Sequence, residues 1–175
     1  TDGDNAYAGD ISIVLRSGTV GSLYGAGSNE SGAANITVEG DITVKVLGGT
    51  VRTEIYGAYN VHAAAVNFIA EGGKIYKKAY GAYNSDVQTM NFAFTKTAMM
   101  YADDNYSSTG KEELYVISGG SVSGDVNAEV GVLSTREAFA YSSKMYRSTY
   151  AFFYGVYRTP VSGDVNYTLN GDWYA

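Results

Sequence analysis

The sequence predicts an all-β fold, an irregular parallel β-solenoid of glycine-rich repeats. Three observations predict it: apolar residues alternate with polar ones, glycines bound the alternating stretches, and short phrases recur in the same order along the chain. Period-2 patterning between glycines marks half-buried strands, because successive strand side chains point to opposite faces. Recurrence in a fixed order marks units that bury their apolar face only by stacking on their neighbours. The chain is read as a single β-rich repeat domain over residues 1–175.

The stretches run in order as follows. Gly9-Asp10 opens a first strand in which Ile11, Ile13 and Leu15 share one face. Ser17-Gly18-Thr19-Val20 turns the chain towards Leu23-Tyr24-Gly25-Ala26. Gly40-Asp41 opens the next strand, with Ile42, Val44 and Val46 on one face. Gly48-Gly49-Thr50-Val51 then leads to Ile55-Tyr56-Gly57-Ala58-Tyr59-Asn60. Val66, Phe68 and Ala70 repeat the alternation, and Gly72-Gly73-Lys74-Ile75 leads to Ala79-Tyr80-Gly81-Ala82-Tyr83-Asn84. Met90, Phe92 and Phe94 follow, and Gly119-Gly120-Ser121-Val122 reads as another Gly-Gly corner. Val-Ser-Gly-Asp-Val-Asn stands at 122–127 and again at 161–166, either side of Phe153-Tyr154-Gly155-Val156-Tyr157. The Tyr-Gly anchors at Tyr24, Tyr56, Tyr80 and Tyr154 are spaced by 32, 24 and 74 residues. Units of about 24 to 37 residues fit, with insertions expected around 101–114 and 135–150. Gly-Gly corners supply the positive φ that other residues resist. A β-sandwich built from similar hairpins is the alternative, since short alternating strands suit both.

The bulk properties exclude several function classes. The 12 basic and 18 acidic residues leave a net charge of −6. No basic stripe offers the phosphate neutralisation that nucleic-acid binders depend on, so no nucleic acid is expected as a partner. The absence of cysteine removes disulfides, thiolate catalysis and cysteine zinc sites. No apolar run approaches the roughly 20 residues of a membrane-spanning helix. The start at Thr1 fits either a mature form or an excised fragment. No phosphate loop, zinc helix or nucleophile elbow is present, and no cofactor, metal or catalytic residue is expected.

The repeat Gly-Gly-x-Val-x-x-x-apolar-Tyr-Gly, alternating with Val-x-Gly-Asp-Val-Asn, resembles the glycine-rich repeats of bacterial surface proteins and adhesins with β-helical shafts. The resemblance covers residues 9–84, 115–127 and 152–171. It implies an extracellular or cell-surface setting and no activity.

Candidate sites are weighed against simpler roles. His62, the one histidine, reads as a turn or surface residue, because no partner carboxylate stands near it in sequence. The acidic run Asp103-Asp104-Asn105 invites calcium. A calcium loop starting at Asp103 requires Gly sixth and Glu twelfth, however, and those places hold Ser108 and Leu114. Asp10, Asp41, Asp125 and Asp164 each follow a glycine and read as turn-formers bonded to their own local backbone rather than as catalytic carboxylates. Asn29, Asn35, Asn105 and Asn166 begin glycosylation sequons.

The tyrosines carry the sharpest expectation. Tyr56, Tyr59, Tyr80 and Tyr83 recur in phase and should form columns, with Tyr154 and Tyr157 as a further pair beside Tyr141, Tyr146 and Tyr150. Such columns are either cross-strand packing or a contact surface. The functional expectation is a structural protein, a subunit or segment of a self-assembling filament or shaft, and not an enzyme. The partner is the chain itself, with glycan as the second possibility. The alternative is an adhesin module that grips glycan or a host surface. A β-helix carbohydrate-active enzyme ranks last, since no acidic pair stands out.

Overall fold

A computed structural model describes residues 5–27, 36–95, 97–101, 112–131 and 152–170. The described chain is all-β, and every strand pair in it is parallel. No hairpin pair occurs among the described residues, so the hairpin-built sandwich is not the arrangement found there.

The strands fall into three recurring positions. The first position holds β1 (Asn5–Tyr7), β2 (Ile11–Leu15), β5 (Ile36–Val46), β8 (Val61–Ala70), the C-terminal part of β10 (Lys78–Phe94), β13 (Val126–Gly131) and β15 (Val165–Asn170). The second is a separate sheet of β3 (Thr19–Val20), β6 (Thr50–Val51), β9 (Lys74–Tyr76) and β11 (Met99–Tyr101). The third holds β4 (Leu23–Gly27), β7 (Glu54–Tyr59), the start of β10, β12 (Glu113–Val122) and β14 (Phe152–Tyr157). Each strand pairs with the stretch one repeat further on, and Ile11, Ile42, Val66, Met90, Val126 and Val165 therefore fall in one column.

The steps range from 24 residues between Val66 and Met90 to 39 between Val126 and Val165, slightly beyond the expected upper limit. The 74-residue gap between Tyr80 and Tyr154 divides at Tyr115 into steps of 35 and 39. The expected insertion at 101–114 ends earlier than read, because Glu113 and Leu114 already pair in β12. The insertion expected at 135–150 lies outside the described residues.

The alternation places the core as expected. Ile42, Val44, Val46, Val66, Phe68, Ala70 and Met90 have no exposed surface. Phe68 and Phe92 stack at 4.9 Å, one strand spacing apart. The rows at the two ends differ. Ile11, Ile13 and Leu15 are only partly covered, and Val165, Tyr167 and Leu169 are 42%, 41% and 48% exposed.

One expected corner is out of phase. Gly18, Gly49 and Gly73 align with φ of 83°, 80° and 82°. Gly119-Gly120 does not join them, because Gly120 pairs with Ser85. Gly119 instead continues a different corner, where Asn60 (φ 54°), Asn84 (φ 46°) and Arg158 (φ 54°) also take positive φ. Asn tolerates this conformation better than most residues, and a Gly-Gly pair serves either corner, so the phrase alone misleads.

The glycine of Tyr-Gly-Ala is required by stacking rather than by its dihedrals. A Cβ on Gly57 would strike the Gly81 carbonyl oxygen and lie 3.0 Å from Val66 Cγ1. Gly21 has open space around it. Gly57→Ala should therefore cost about 1–3 kcal/mol of overpacking, while Gly21→Ala stays within about 0.5 kcal/mol. Urea denaturation of the two variants checks this; equal midpoints would refute the close approach.

Candidate functional site

The third strand position turns a row of tyrosines outward. Ile55 and Ala58 enter the main core, while Tyr56 joins a separate aromatic cluster with Tyr80 and Tyr115. Parallel pairing sets Tyr24, Tyr56, Tyr80, Tyr115 and Tyr154 opposite one another. Their rings stack at 5.0, 4.8, 4.6 and 4.5 Å with interplanar angles of 3° to 12°. These distances repeat the strand spacing, so backbone geometry itself sets the rings at contact distance.

A second, shorter column runs beside the first. Tyr59 and Tyr83 stack at 5.1 Å and meet the first column edge-on, Tyr59 on Tyr56 at 4.9 Å and Tyr83 on Tyr80 at 5.3 Å. Ser118 occupies the next place and interrupts it. Tyr157 follows one row later, edge-on to Tyr154 at 5.5 Å, with the Arg158 guanidinium 5.1 Å from its ring centre. The expected columns thus exist for Tyr56 with Tyr80 and for Tyr59 with Tyr83. Tyr154 extends the first, and Tyr157 stands apart from the second. Tyr141, Tyr146 and Tyr150 lie outside the described residues. Sequence reading passed over Tyr115, because Val116 replaces the glycine that flags the other members.

The ring faces of Tyr56, Tyr80 and Tyr115 are covered by their neighbours, which leaves these residues 6%, 6% and 8% exposed. A sugar packs on an aromatic ring through the open face, and these three rings offer none. Charged groups flank the column. Glu54, Lys78 and Glu113 align on successive strands. Lys78 Nζ lies 2.8 Å from Glu113 Oε2, and the Tyr56 hydroxyl donates to Glu54 Oε2 at 2.8 Å. Pairing with Glu113 is the main cause that raises the Lys78 pKa. Burial, then the nearby Glu54, raises the Tyr56 pKa well above the ordinary phenol value; burial, then Glu113, does the same for Tyr80 and Tyr115.

A polar column runs along the outer face of the first strand position. Ser12, Thr43, Asn67, Asn91, Asn127 and Asn166 share one register. Asn67 donates to Thr43 Oγ1 at 3.4 Å, Asn91 to Asn67 at 2.8 Å, Asn127 to Asn91 at 3.3 Å and Asn166 to Asn127 at 3.0 Å. The sequence marks Asn166 as a sequon and, with Asn127, as the end of the repeated Val-Ser-Gly-Asp-Val-Asn phrase, but does not join them to Asn67 and Asn91. The ladder was legible only once the register showed that these residues oppose one another. A shallow hollow of about 350 Å³ lies beside it, lined by Asn91, Asn127, Glu129, Asn166 and Thr168 among others. The sequons at Asn29, Asn35 and Asn105 lie outside the described residues, as does the acidic run at 103–105.

The aspartates act across rows. Asp10 Oδ1 accepts the Asp41 backbone N–H at 2.9 Å, and Asp125 Oδ1 accepts that of Asp164 at 2.9 Å. For Asp10 and Asp125 the bond found is therefore to the equivalent residue of the next row rather than to the local backbone. Ala65 and Thr89 fill the same place between the two pairs, which sets Asp41 and Asp125 about 14 Å apart at three strand spacings.

His62 has a partner that the sequence did not suggest. Its Nδ1 lies 3.2 Å from Asp86 Oδ2, directly opposite on the next strand, and Ser121 donates to Asp86 Oδ1 from the strand beyond. The carboxylate stands between the other two side chains. A histidine that activated the serine would have to occupy that middle place. Among the described residues no group of three His, Asp or Glu side chains could hold a metal ion.

No protein-family model, curated protein or solved structure matches the chain. The geometry itself therefore carries the functional argument.

Two outcomes follow from the columns. Unfolding restores Tyr56, Tyr80 and Tyr115 to the ordinary phenol pKa of 10.0, below their folded values. The folded state then binds more protons above pH 10, so its stability is complete below that pH and falls as pH rises further. Phenolate absorbance of Tyr56, Tyr80 and Tyr115 should appear together with loss of β-sheet circular dichroism; ionisation of these three with the sheet intact would contradict their burial. Asn91→Ala removes one bond on each side and should cost about 1–2 kcal/mol in chemical denaturation. Ser123→Ala, on an exposed position off the ladder, should stay within about 0.5 kcal/mol.

Proposed function

We propose that the chain is a structural, non-enzymatic subunit or segment of an extracellular filament or shaft, and that its rows are the coils of a parallel β-solenoid. The observation that supports this is the gradient of burial along the core columns. The middle rows are sealed, whereas Val165, Tyr167 and Leu169 at one end are 42%, 41% and 48% exposed and Ile11, Ile13 and Leu15 at the other are partly open. Free-standing repeat arrays close their ends with caps of polar outer face. Apolar ends instead suit addition of further rows. The cell-surface setting belongs to the same proposal and rests on the resemblance of the repeat pattern to the glycine-rich shafts of bacterial surface proteins.

Glycan binding by an adhesin module is the second reading. The amide column and the hollow at Asn91, Asn127, Glu129 and Asn166 favour it. The closed faces of Tyr56, Tyr80 and Tyr115 count against an aromatic platform for sugars. Negative-stain electron microscopy at low and high concentration separates the two. Regular filaments at high concentration are the expected result. Discrete small particles that bind on a glycan array would replace the filament reading with the adhesin one.

A further inference from the structure

Six large apolar side chains are conspicuously exposed among the described residues: Tyr7, Val14, Leu47, Val165, Tyr167 and Leu169. All but Leu47 sit on the two end rows, on β1, β2 and β15. The same strands are sheet edges among the described residues. Among the described residues β2 pairs only with β5 and β15 only with β13, so each presents one row of backbone donors and acceptors outward. Such edges are templates for another strand.

We propose that β15 of one copy pairs in parallel with β2 of a second copy, head to tail, in the register Val165–Ile11, Asn166–Ser12, Tyr167–Ile13 and Leu169–Leu15. This inference rests on the filament reading and names its interface. The register is the one that extends the chain's own columns. Val165, Tyr167 and Leu169 end the inward columns that Ile11, Ile13 and Leu15 begin. The polar groups match as well. Asn166 has spent an amide hydrogen on Asn127, and its carbonyl oxygen is then placed to accept from the Ser12 hydroxyl of the following row, as the Asn67 carbonyl oxygen accepts from Asn91 within the chain. Asp164 meets the Asp10 backbone N–H as Asp125 meets that of Asp164. Head-to-tail contact between different surfaces gives an open filament when the rotation does not close, and continued columns carry each copy forward along the stacking direction rather than around a ring. A slip of one residue would drive Asn166 into the core and turn its apolar neighbours outward, which fixes the register.

The chain has no cysteine, which permits a direct test. Opposed residues on neighbouring strands stand about 4.8 Å apart, within the roughly 4.4–6.8 Å that a disulfide spans. Ser12→Cys and Asn166→Cys chains are prepared separately, mixed at a concentration where light scattering shows assembly, and oxidised with diamide. The expected product is a disulfide dimer in the mixture, many-fold more abundant than in either variant alone, and a ladder of oligomers from the S12C/N166C double variant. Val165→Lys with Leu169→Lys, at positions already exposed, should abolish assembly and leave the circular dichroism unchanged. Assembly without the mixed disulfide overturns the register and leaves the filament reading standing. Predominant S12C–S12C or N166C–N166C dimers overturn the head-to-tail arrangement. A chain that stays monomeric at every concentration overturns both proposals.

Discussion

Parallel pairing in register lays each row of this protein one strand spacing above the last, so a residue's nearest neighbours outside its own strand are its counterparts in the adjoining rows. Every later feature follows from that constraint. Aromatic rings at one position stack, as Tyr24, Tyr56, Tyr80, Tyr115 and Tyr154 do at 4.5 to 5.0 Å. Amides at one position bond in sequence, as Asn67, Asn91, Asn127 and Asn166 do. Apolar side chains at one position make a continuous core that no single row could enclose. The backbone spacing chooses the partners, and the side chain decides whether the meeting is favourable.

The same constraint is hazardous for charge, since like residues in a column bring like charges together. The chain meets this in two ways. Beside the tyrosines, Lys78 is set between Glu54 and Glu113, so opposite charges adjoin. At the Gly-Asp corner the aspartates do adjoin, Asp10 beside Asp41 and Asp125 beside Asp164, but the first carboxylate of each pair accepts a backbone N–H from the second residue. Ala65 and Thr89 then break the run. A buried polar side chain at the Asn84 corner is satisfied by one bond within its own strand and one across rows. The fully buried Ser85 donates to the Tyr83 carbonyl at 2.9 Å and accepts the Val61 N–H at 3.3 Å.

A structure built this way is strongest where a row has neighbours on both sides. Phe68 and Met90 have no exposure, whereas Leu169, in phase with Ala70 and Phe94, is 48% exposed. The difference is positional rather than chemical, because the side chains are of the same kind throughout. Terminal rows in such arrays open most easily, as each has contacts on one side only.

The sequence by itself determined the strands, their inward faces and the in-phase tyrosines at 56, 59, 80 and 83, because alternation and glycine punctuation are local and register with themselves. It did not determine which rows adjoin. Steps of 24 to 39 residues obscure the period, so Tyr115 was missed, Gly119-Gly120 was set at the wrong corner, and the asparagines at 67, 91, 127 and 166 were not seen as one ladder. His62 likewise looked solitary, because Asp86 is remote in sequence yet opposite in register. Only the tertiary structure could decide these, since strand pairing is a contact between distant segments, and its register depends on the length of every intervening loop.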